Sequence, residues 1–293
     1  MGRIVTFSRL LISVFAGCVL AGPAVAADAD WRGFYFGGNA GYAAGSSANG
    51  LDIADGALSN CHFCDNVFGG GPTVDHLVAQ DAGSAHLRPR GFSGGLQFGH
   101  NWQQANWVYG AEVDFGAFRQ RGKDDTSFVL PGNTALAGGG GVCGATGPET
   151  CIGNFSTKVR ADWLLTIRPR IGYSFGQTLV YGTFGVAVTQ LKFEQTYTDN
   201  ITYPLVGGST GAGGYVRTSA SAWRAGWVIG AGFEHALQQR WSVKAEYLYM
   251  RFPGISASGR LTDGFGGYAD FSNGIDRFSS SLMRLGLNYK FGG

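Results

Sequence analysis

Apolar and polar residues alternate along eight separate stretches of the chain. In WVYGAEVDFGAF, for example, Val113 and Phe115 fall on one face of an extended chain, and Glu112 and Asp114 fall on the other. A period of two residues predicts β-strands, and most of these stretches are longer than the usual strand of about 5 to 6 residues. The eight predicted strands are residues 33–45, 90–102, 107–118, 159–175, 179–191, 223–237, 241–249 and 278–291.

The connections between these strands alternate in length. Only a few residues, such as QQAN, GQT and QQ, join the second strand to the third, the fourth to the fifth and the sixth to the seventh. The long connections are residues 45–89, 119–157, 192–221 and 250–277. This alternation predicts an up-and-down antiparallel arrangement with short turns at one end and long loops at the other. Because the first and third long connections could extend the strands or carry extra hairpins, ten strands is the main alternative.

The two faces of the predicted strands differ in chemistry. The polar face is dominated by glycine, with Ser, Asn, Gln and a few charges of both signs, whereas the apolar face carries Trp or Tyr near many strand ends. A lysine or arginine facing lipid at the middle of a membrane costs about 2 to 4 kcal/mol, and we find none there. The pattern therefore predicts an all-β protein, an eight-stranded transmembrane β-barrel with its apolar face in lipid and long extracellular loops.

Composition supports strands and argues against nucleic-acid binding. The chain has 50 glycines, 14% aromatic residues and only 14% charged residues, and glycine is a poor helix former while aromatic residues favour strands. The 22 basic and 20 acidic residues become 20 and 20 once two arginines of the predicted signal peptide are removed. A balanced charge shows no basic stripe of the kind that binds nucleic acid.

Residues 1–27 read as a cleaved secretory signal peptide. Two arginines are their only charges, an apolar run follows, and an A-x-A motif ends the segment. We therefore expect the outer-membrane barrel domain to comprise residues 28–293. A lipoprotein cleaved before Cys18 is the alternative, although Phe15 stands where such a site has a leucine-like residue.

Four cysteines remain after the predicted cleavage: Cys61, Cys64, Cys143 and Cys151. In an exported protein an even number favours disulfides, with Cys143–Cys151 as a loop staple and Cys61–Cys64 as a small ring. A metal site that adds His62 and a later histidine to Cys61 and Cys64 is a weaker interpretation, since two close cysteines are a weak signal. Free thiols are the third.

Six charged residues of the polar face form the predicted lumen charge network: Glu112, Asp114, Arg168, Arg170, Glu234 and Lys244. Counting from the short turns pairs Glu112 with Arg170, Asp114 with Arg168, and Glu234 with Lys244. A buried unpaired charge is costly, so we expect these ions to pair and to pack the lumen. The alternative is the lining of a selective pore, but eight strands enclose little more than their own side chains.

The sequence ends with RLGLNYKFGG, in which apolar and polar residues alternate. This pattern predicts a strand, which must pair with another strand. Arg284, Gly286, Tyr289 and Phe291 resemble the terminal assembly signal of bacterial outer-membrane barrels, except that two glycines follow the aromatic that is usually last. The resemblance implies insertion by the barrel assembly machinery. Pairing of this strand with GFYFGGNAGY would close the sheet, as backbone groups in lipid require.

The segments DWRGFYFGGNAGYAAG, GWVIGAGFEHAL and WSVKAEYLY, together with this ending, resemble the small porin-like outer-membrane immunogenic proteins of Gram-negative bacteria. That resemblance implies a protein of the cell outer membrane, surrounded by outer-membrane lipid and lipopolysaccharide. Members of the family are described as haem binders, envelope-stability proteins or surface antigens. We therefore expect a structural or interaction role, with uptake or binding of small solutes or haem as the alternative.

The five histidines do not predict a catalytic site. His100 and His235 fall near the short-turn ends of their strands, whereas His62, His76 and His86 lie in the first long connection. With the nearby cysteines, the latter three could ligate haem, as the resemblance permits, but we predict no cofactor. No Ser, His and Asp cluster emerges, so an outer-membrane hydrolase is the least favoured function. The external ligand and the oligomeric state stay open.

Overall fold

The computed structural model describes residues 29–55, 63, 74–130, 151–200, 213–238, 240–262 and 267–291. Within them lie nine strands and one helix. Their bounds are β1 Gly33–Asp55, α1 Val74–Ala82, β2 His86–Leu87, β3 Arg90–Gln104, β4 Trp107–Leu130, β5 Cys151–Phe175, β6 Thr178–Asp199, β7 Tyr215–Gln238, β8 Trp241–Thr262 and β9 Tyr268–Phe291.

The eight long strands form a closed ring. Each of β3 to β8 pairs antiparallel with the strand that follows it. β1 pairs with β3 on one side and with β9 on the other, which closes the ring. The seam runs from the Phe34–Phe291 pair to the Asp55–Ala269 pair. This confirms the predicted eight-stranded barrel and the pairing of the chain end with GFYFGGNAGY. Among the described residues, the two-residue β2 is the only strand outside the ring.

The strands extend much further than the alternation predicts. Apart from β3, each ring strand has 22 to 25 residues, although a spanning strand needs only about 9 to 11. Parts of all four predicted long connections are therefore strand, which agrees with the alternative that the first and third extend the strands and shows that the second and fourth do so too. The cause is a reversal of polarity, because Leu191 and Phe193 face inward while Lys192 and Glu194 face outward. This is the pattern of a water-exposed barrel.

β3 is shorter than its neighbours and leaves a gap in the wall between β1 and β4. The two-residue β2 pairs with β1 at Ser47 and Ala48, above the point where β3 ends its pairing with that strand. The nine-residue α1 packs beside β1 and β4. In the described part of the chain, no helix has the length and apolar character needed to cross a membrane.

The outer surface of the lower barrel is apolar. On β5, Trp163 and Tyr173 mark the two edges of a run of outward apolar residues, and Trp107 packs against Tyr173 at the short-turn end. Large side chains in this band are open to the surroundings, with Phe92 74% and Leu285 63% exposed. Water disfavours such a continuous apolar belt, whereas hydrocarbon solvates it, so the band spans the membrane.

Candidate functional site: the closed barrel interior

The barrel interior is stacked in layers along the barrel axis. At the short-turn end, a small cluster of Trp31, Val108, Leu179 and Tyr181 is buried. Trp31 precedes β1 and turns into the barrel mouth, where its indole Nε1 donates to Ser174 Oγ at 2.9 Å. Its backbone nitrogen donates to Gln103 Oε1 at 2.8 Å. Trp31, two residues before the first strand, therefore packs into the lower mouth of the barrel.

Above this cluster lies a network of ions, which we call the ion network. Its four carboxylates and four cations are Glu112, Asp114, Glu234, Glu246, Arg168, Arg170, Lys244 and Arg284. Each of these residues is at most 5% exposed. Equal numbers of opposite charges make the network formally neutral, which is the condition under which buried ions are tolerated.

Arg168 lies at the centre of the ion network and is fully buried. Its Nη2 donates to Glu112 Oε1 at 2.6 Å and to Asp114 Oδ2 at 2.8 Å, while Nη1 donates to Glu246 Oε1 at 3.1 Å. Its Nε donates to Thr166 Oγ1 at 2.9 Å. The guanidinium thus connects carboxylates from β4 and β8 across the lumen. Such charge-assisted bonds are stronger than neutral ones.

Two further cations complete this centre. Arg284 Nε donates to Glu246 Oε2 at 2.7 Å, and its Nη1 donates to Asp114 Oδ1 at 2.9 Å. Lys244 Nζ donates to both oxygens of Glu112 at 2.8 Å. Because β4, β5, β8 and β9 each contribute, the network ties opposite walls of the barrel together.

Arg170 forms a second, lower centre of the network. Its Nη1 donates to Glu234 Oε2 at 3.0 Å, and its Nε donates to Asn101 Oδ1 at 2.9 Å. The guanidinium carbon lies 4.7 Å from the ring centre of Tyr35 and 5.1 Å from that of Tyr181. Two aromatic faces therefore hold this cation in place as well as its ionic partner.

The structure brings the six predicted lumen residues together, but the register differs from the counted pairs. Glu112 lies opposite Arg168, because Trp107 pairs with Tyr173 at the short-turn end and fixes the register. Arg170 approaches Glu112 only to 3.9 Å. Glu234 lies opposite Lys244, yet its ionic partner is Arg170 and that of Lys244 is Glu112.

Two members of the ion network were missing from the sequence prediction. Glu246 and Arg284 are 5% and 4% exposed, and both belong to the centre around Arg168. The alternation of their strands already placed both residues on the polar face, so that signal could have identified them. The sequence pattern assigns Arg284 only to the predicted terminal signal. Its position in the lumen shows that it is also a cation of the ion network.

Inward glycines leave the space that these long side chains need. A β-carbon at Gly41 would lie 2.6 Å from Arg284 Cβ, which is closer than real atoms pack. At Gly286 it would lie 3.0 Å from both Lys244 Cγ and Gln97 Nε2. The glycines of the polar face therefore accommodate the ion network rather than line an open channel.

Above the ion network the interior becomes apolar, whereas the polar face of the predicted strands indicates a polar interior. A middle apolar layer of buried residues comprises Ala43, Leu87, Phe118, Val159, Ala161, Leu164, Ala187, Leu191, Phe193, Val228, Leu248, Met250, Phe252, Ile255, Ile275, Phe278 and Leu282. Phe118, Phe278 and Leu282 have no exposed surface. Part of this layer, such as Phe193 and Ile275, lies on strand extensions whose polarity is reversed, and the alternation signal misses it there. The rest, such as Leu164 and Val228, lies on the inward face of the predicted strands.

A polar belt and an upper apolar layer follow. In the belt, Gln195 donates to Gly83 O at 2.8 Å and Asn273 donates to Thr218 Oγ1 at 2.7 Å. The upper apolar layer comprises Leu51, Ile53, Phe63, Ala79, Leu130, Phe155, Tyr197, Val216, Leu261, Ala269 and Phe271. Ala79 belongs to α1, so the helix and Phe63 help to fill the top of the barrel. Side chains therefore pack the interior at several successive levels.

The outer face of the strand extensions carries exposed ion pairs. Glu194 accepts a hydrogen bond from Lys158 at 3.1 Å and another from Arg217. These bonds hold the pKa of Glu194 below its ordinary value, with Lys158 as the larger cause. Likewise, the hydrogen bond from Arg260 lowers the pKa of Asp270. Both carboxylates therefore stay ionised at neutral pH, as a water-facing surface requires.

The described histidines lie in separate parts of the structure. His100 packs in the lower girdle, with its ring centre 4.3 Å from that of Phe34, and His235 Nδ1 lies 2.9 Å from Thr178 Oγ1. His76 is buried in α1, and His86 is exposed on β2. His62, Cys61, Cys64 and Cys143 lie outside the described residues, as does the side chain of Cys151, so the candidate disulfide stays a prediction.

The terminal signal residues divide between the two faces of β9. Gly286 and Arg284 face the lumen, whereas Tyr289 and Phe291 pack at the lower girdle with ring centres 5.2 Å apart. Tyr289 also contacts Trp241 at 5.0 Å. Among the described residues, no group of three or more His, Cys, Asp or Glu side chains could hold a metal ion.

Comparisons with known proteins agree with this architecture. The model of the outer membrane protein beta-barrel domain matches residues 13–291. The 31 kDa outer-membrane immunogenic protein of Brucella melitensis is 32% identical over 266 residues, covering 89% of this chain and 84% of that protein. The 22 kDa outer membrane protein of Rhizobium leguminosarum is 27% identical over 201 residues, covering 69% and 67%.

Among solved structures, Ail, the attachment invasion locus protein of Yersinia pestis, is 13% identical, with a TM-score of 0.30 over 87% of this chain and 99% of that chain. The assignment depends instead on the domain match, which extends over most of the chain and ends at the last residue of β9. The chain therefore belongs to the outer-membrane β-barrel domain family, and it is an outer-membrane protein of a Gram-negative bacterium.

Proposed function

We propose that this protein is a closed barrel with a structural and interaction role, which supports envelope integrity and presents its strand extensions and connecting segments at the cell surface. The short-turn end then faces the periplasm and the long-strand end faces outward. The immunogenic name of the Brucella relative supports the further proposal that this chain is a surface antigen. Insertion by the barrel assembly machinery belongs to the same proposal.

The ion network is the observation that carries this proposal. Arg168 and Lys244 have side chains with no exposed surface, and both bond to Glu112 from different strands. Breaking such a buried pair costs about 3 to 5 kcal/mol, so the network resists opening by thermal motion. A conducting pore would need these ions to face water.

Uptake or catalysis receives less support. A solute or haem group that crossed the barrel would have to displace the middle apolar layer and the ion network in turn. A cavity of about 340 Å³ does lie at the periplasmic mouth, beside Trp31 and Glu234, but buried side chains separate it from the outer end. The described histidines occupy a girdle, a helix interior and a short strand, and they form no cluster with an acid and a nucleophile. We therefore propose that the chain is not an enzyme.

Planar-bilayer recording tests the closed barrel. Protein folded from the full mature chain should show no steady conductance at moderate voltage, because buried side chains of the ion network and of two apolar layers fill the barrel in the described part of the chain. A deletion strain should become sensitive to bile salts, and the wild-type gene should restore resistance.

A wide trimeric porin reconstituted in the same lipid serves as the positive control for the recording. Sustained, uniform single-channel steps from this protein would contradict the proposal. A deletion strain that resists bile salts as well as its parent would also contradict the proposal, because it would show that the protein does not support envelope integrity.

A further inference from the structure

Four arginines form a patch on the outer wall of the barrel, which we call the arginine set. Arg90 lies directly opposite Arg121 on the neighbouring strand, and Arg121 lies directly opposite Arg160 on the next. Arg119 is two residues from Arg121 on the same outward face. All four side chains belong to exposed residues. Three adjacent strands thus present like charges in one row.

No member of the arginine set has an ionic or hydrogen-bonding partner in the described part of the chain. The nearby lysines differ. Lys123 pairs with Asp125 at 2.6 Å, and Lys192, which continues the row opposite Arg160, pairs with Asp162 at 2.7 Å. The two nearby lysines therefore have carboxylate partners, whereas the aligned arginines have none among the described residues.

Like charges directly opposite each other on neighbouring strands destabilise a sheet, because their β-carbons are only about 4.5 to 5.5 Å apart. Three guanidinium groups in such a row repel one another unless an anion lies between them. Arginine presents a planar fork of donors that matches phosphate oxygens in a bidentate manner, which lysine does not. The residue type and the alignment both indicate a phosphate-bearing ligand.

The height of the arginine set identifies the source of the phosphate. Arg90 precedes the outermost apolar residue of β3, Phe92, by two positions, and Arg160 precedes Trp163 on β5 by three, so both arginines lie on the outer side of these aromatics. Phe92 is 74% exposed and Trp163 is 46% exposed, so both meet the hydrocarbon edge. The guanidinium groups therefore lie at the level of the lipid headgroups, with acyl-chain contacts directly beneath them.

We propose that the arginine set is a binding site for the phosphate groups of a phosphorylated glycolipid in the outer leaflet. The inference rests on the proposed function for the orientation, in which the long-strand end faces outward. The row of three arginines spans about 10 Å, which is two strand spacings of about 4.8 Å. That length allows a headgroup with two separated phosphates to engage two arginines at once. Phe92 and Trp163 would contact its acyl chains.

Native mass spectrometry of the folded full chain in neutral detergent provides the test, with bisphosphorylated lipid A as the probe. The wild-type protein should retain at least one lipid A molecule. The variant R90Q/R121Q/R160Q should lose retention at least tenfold. A matched variant, R32Q/R217Q/R260Q, removes three exposed arginines elsewhere and should retain lipid A like the wild type. Heat-modifiable gel mobility verifies that each variant is folded.

Two further arms identify the ligand chemistry. Lipid A without its phosphates should bind the wild type no better than it binds the triple variant, since the acyl contacts remain in both. Inorganic phosphate at millimolar concentration should not displace lipid A, because it lacks those acyl contacts. Full displacement by free phosphate would overturn the lipid assignment in favour of a soluble anion. Equal retention by wild type and R90Q/R121Q/R160Q would overturn the site itself.

This outcome is distinguishable from failure of the proposed function. A conducting barrel that still retains lipid A through the arginine set would remove the closed-barrel proposal and keep this site. A closed barrel whose triple variant retains lipid A normally would do the reverse.

Discussion

Arg284 belongs both to the predicted assembly signal and to the buried ion network. It lies 4% exposed in the ion network, bonded to Glu246 and to Asp114. The sequence pattern near the chain end predicts only the first use. The second depends on Glu246 and Asp114, which lie 38 and 170 positions away along the chain, and no local pattern records such contacts.

Replacing Arg284 with methionine should destabilise the folded barrel by about 3 to 5 kcal/mol, because four carboxylates would then face three buried cations. Urea unfolding in detergent, followed by tryptophan fluorescence, measures the loss. The double variant R284M/E246Q restores the charge balance and should recover part of it, since residues of one network are not additive.

The exposed variant R260M is the matched control, and it should change stability by no more than about 0.5 kcal/mol. An unaltered unfolding midpoint in R284M would show that Arg284 contributes nothing as a buried ion. A double variant as unstable as the sum of both single variants would contradict the coupling.

At this scale the sequence predicts which residues face inward but not which pairs form. Glu112 and Arg168 follow from the alternation, whereas their direct pairing depends on the register that the Trp107–Tyr173 pair sets at the turn. A shift of two residues keeps every side chain on its face and changes every partner. Local patterns cannot resolve such a shift.

The ring strands have an outward apolar face within the membrane and an inward apolar face beyond it. Within the membrane the apolar face is outward, and the predicted strands stop where that face stops. β4 continues to Leu130 with Phe118 turned inward and Lys123 turned outward. The pattern there is equally regular but inverted, so a search for one sense of alternation finds only the membrane part.

The last strand carries a prediction of its own. Phe291 lies at the end of β9 and is 49% exposed, so F291A should alter refolding in detergent little. In cells, however, loss of the terminal aromatic should reduce outer-membrane insertion several-fold if the assembly machinery reads it. Quantitative fractionation of wild type and variant measures the difference.

Phe175 provides the comparison, because it is also an exposed phenylalanine, at the corresponding end of β5. F175A should insert at the wild-type level. Similar insertion of F291A and F175A would show that Phe291 is not part of a recognised signal.

Considered as a whole, the molecule combines two barrels of opposite design along one set of strands. The lower part has an apolar exterior and an ionic interior, and the upper part has a polar exterior and an apolar interior. Composition indicates an all-β protein, and the alternation in the lower part, with glycine on one face and aromatics on the other, indicates a membrane barrel. The apolar core above the membrane follows only in part from strand patterns, since α1 and Phe63 contribute to it from a segment that shows no such pattern.

The upper apolar layer closes the barrel separately from the middle apolar layer and the ion network beneath it. We therefore predict that loosening the upper layer alone does not make the barrel permeable. In the upper apolar layer, the ring centre of Tyr197 lies 4.9 Å from that of Phe155 and 5.5 Å from that of Phe271. The variant F155A/Y197A/F271A should loosen this layer, since each large-to-alanine change costs about 3 to 5 kcal/mol in a packed core. Hydrogen exchange should therefore rise in the strand extensions. It should stay slow in the membrane band, where the ion network is intact.

Planar-bilayer recordings of that variant should stay silent, because the middle apolar layer and the ion network still close the barrel beneath it. The outward-facing variant V129A/I152A, at the same height, controls for general loosening and should leave exchange unchanged. Steady conductance through the triple variant would mean that the upper layer is the true seal and that the ion network admits solute. Exchange that rises equally in the membrane band would mean that the two parts unfold as one unit.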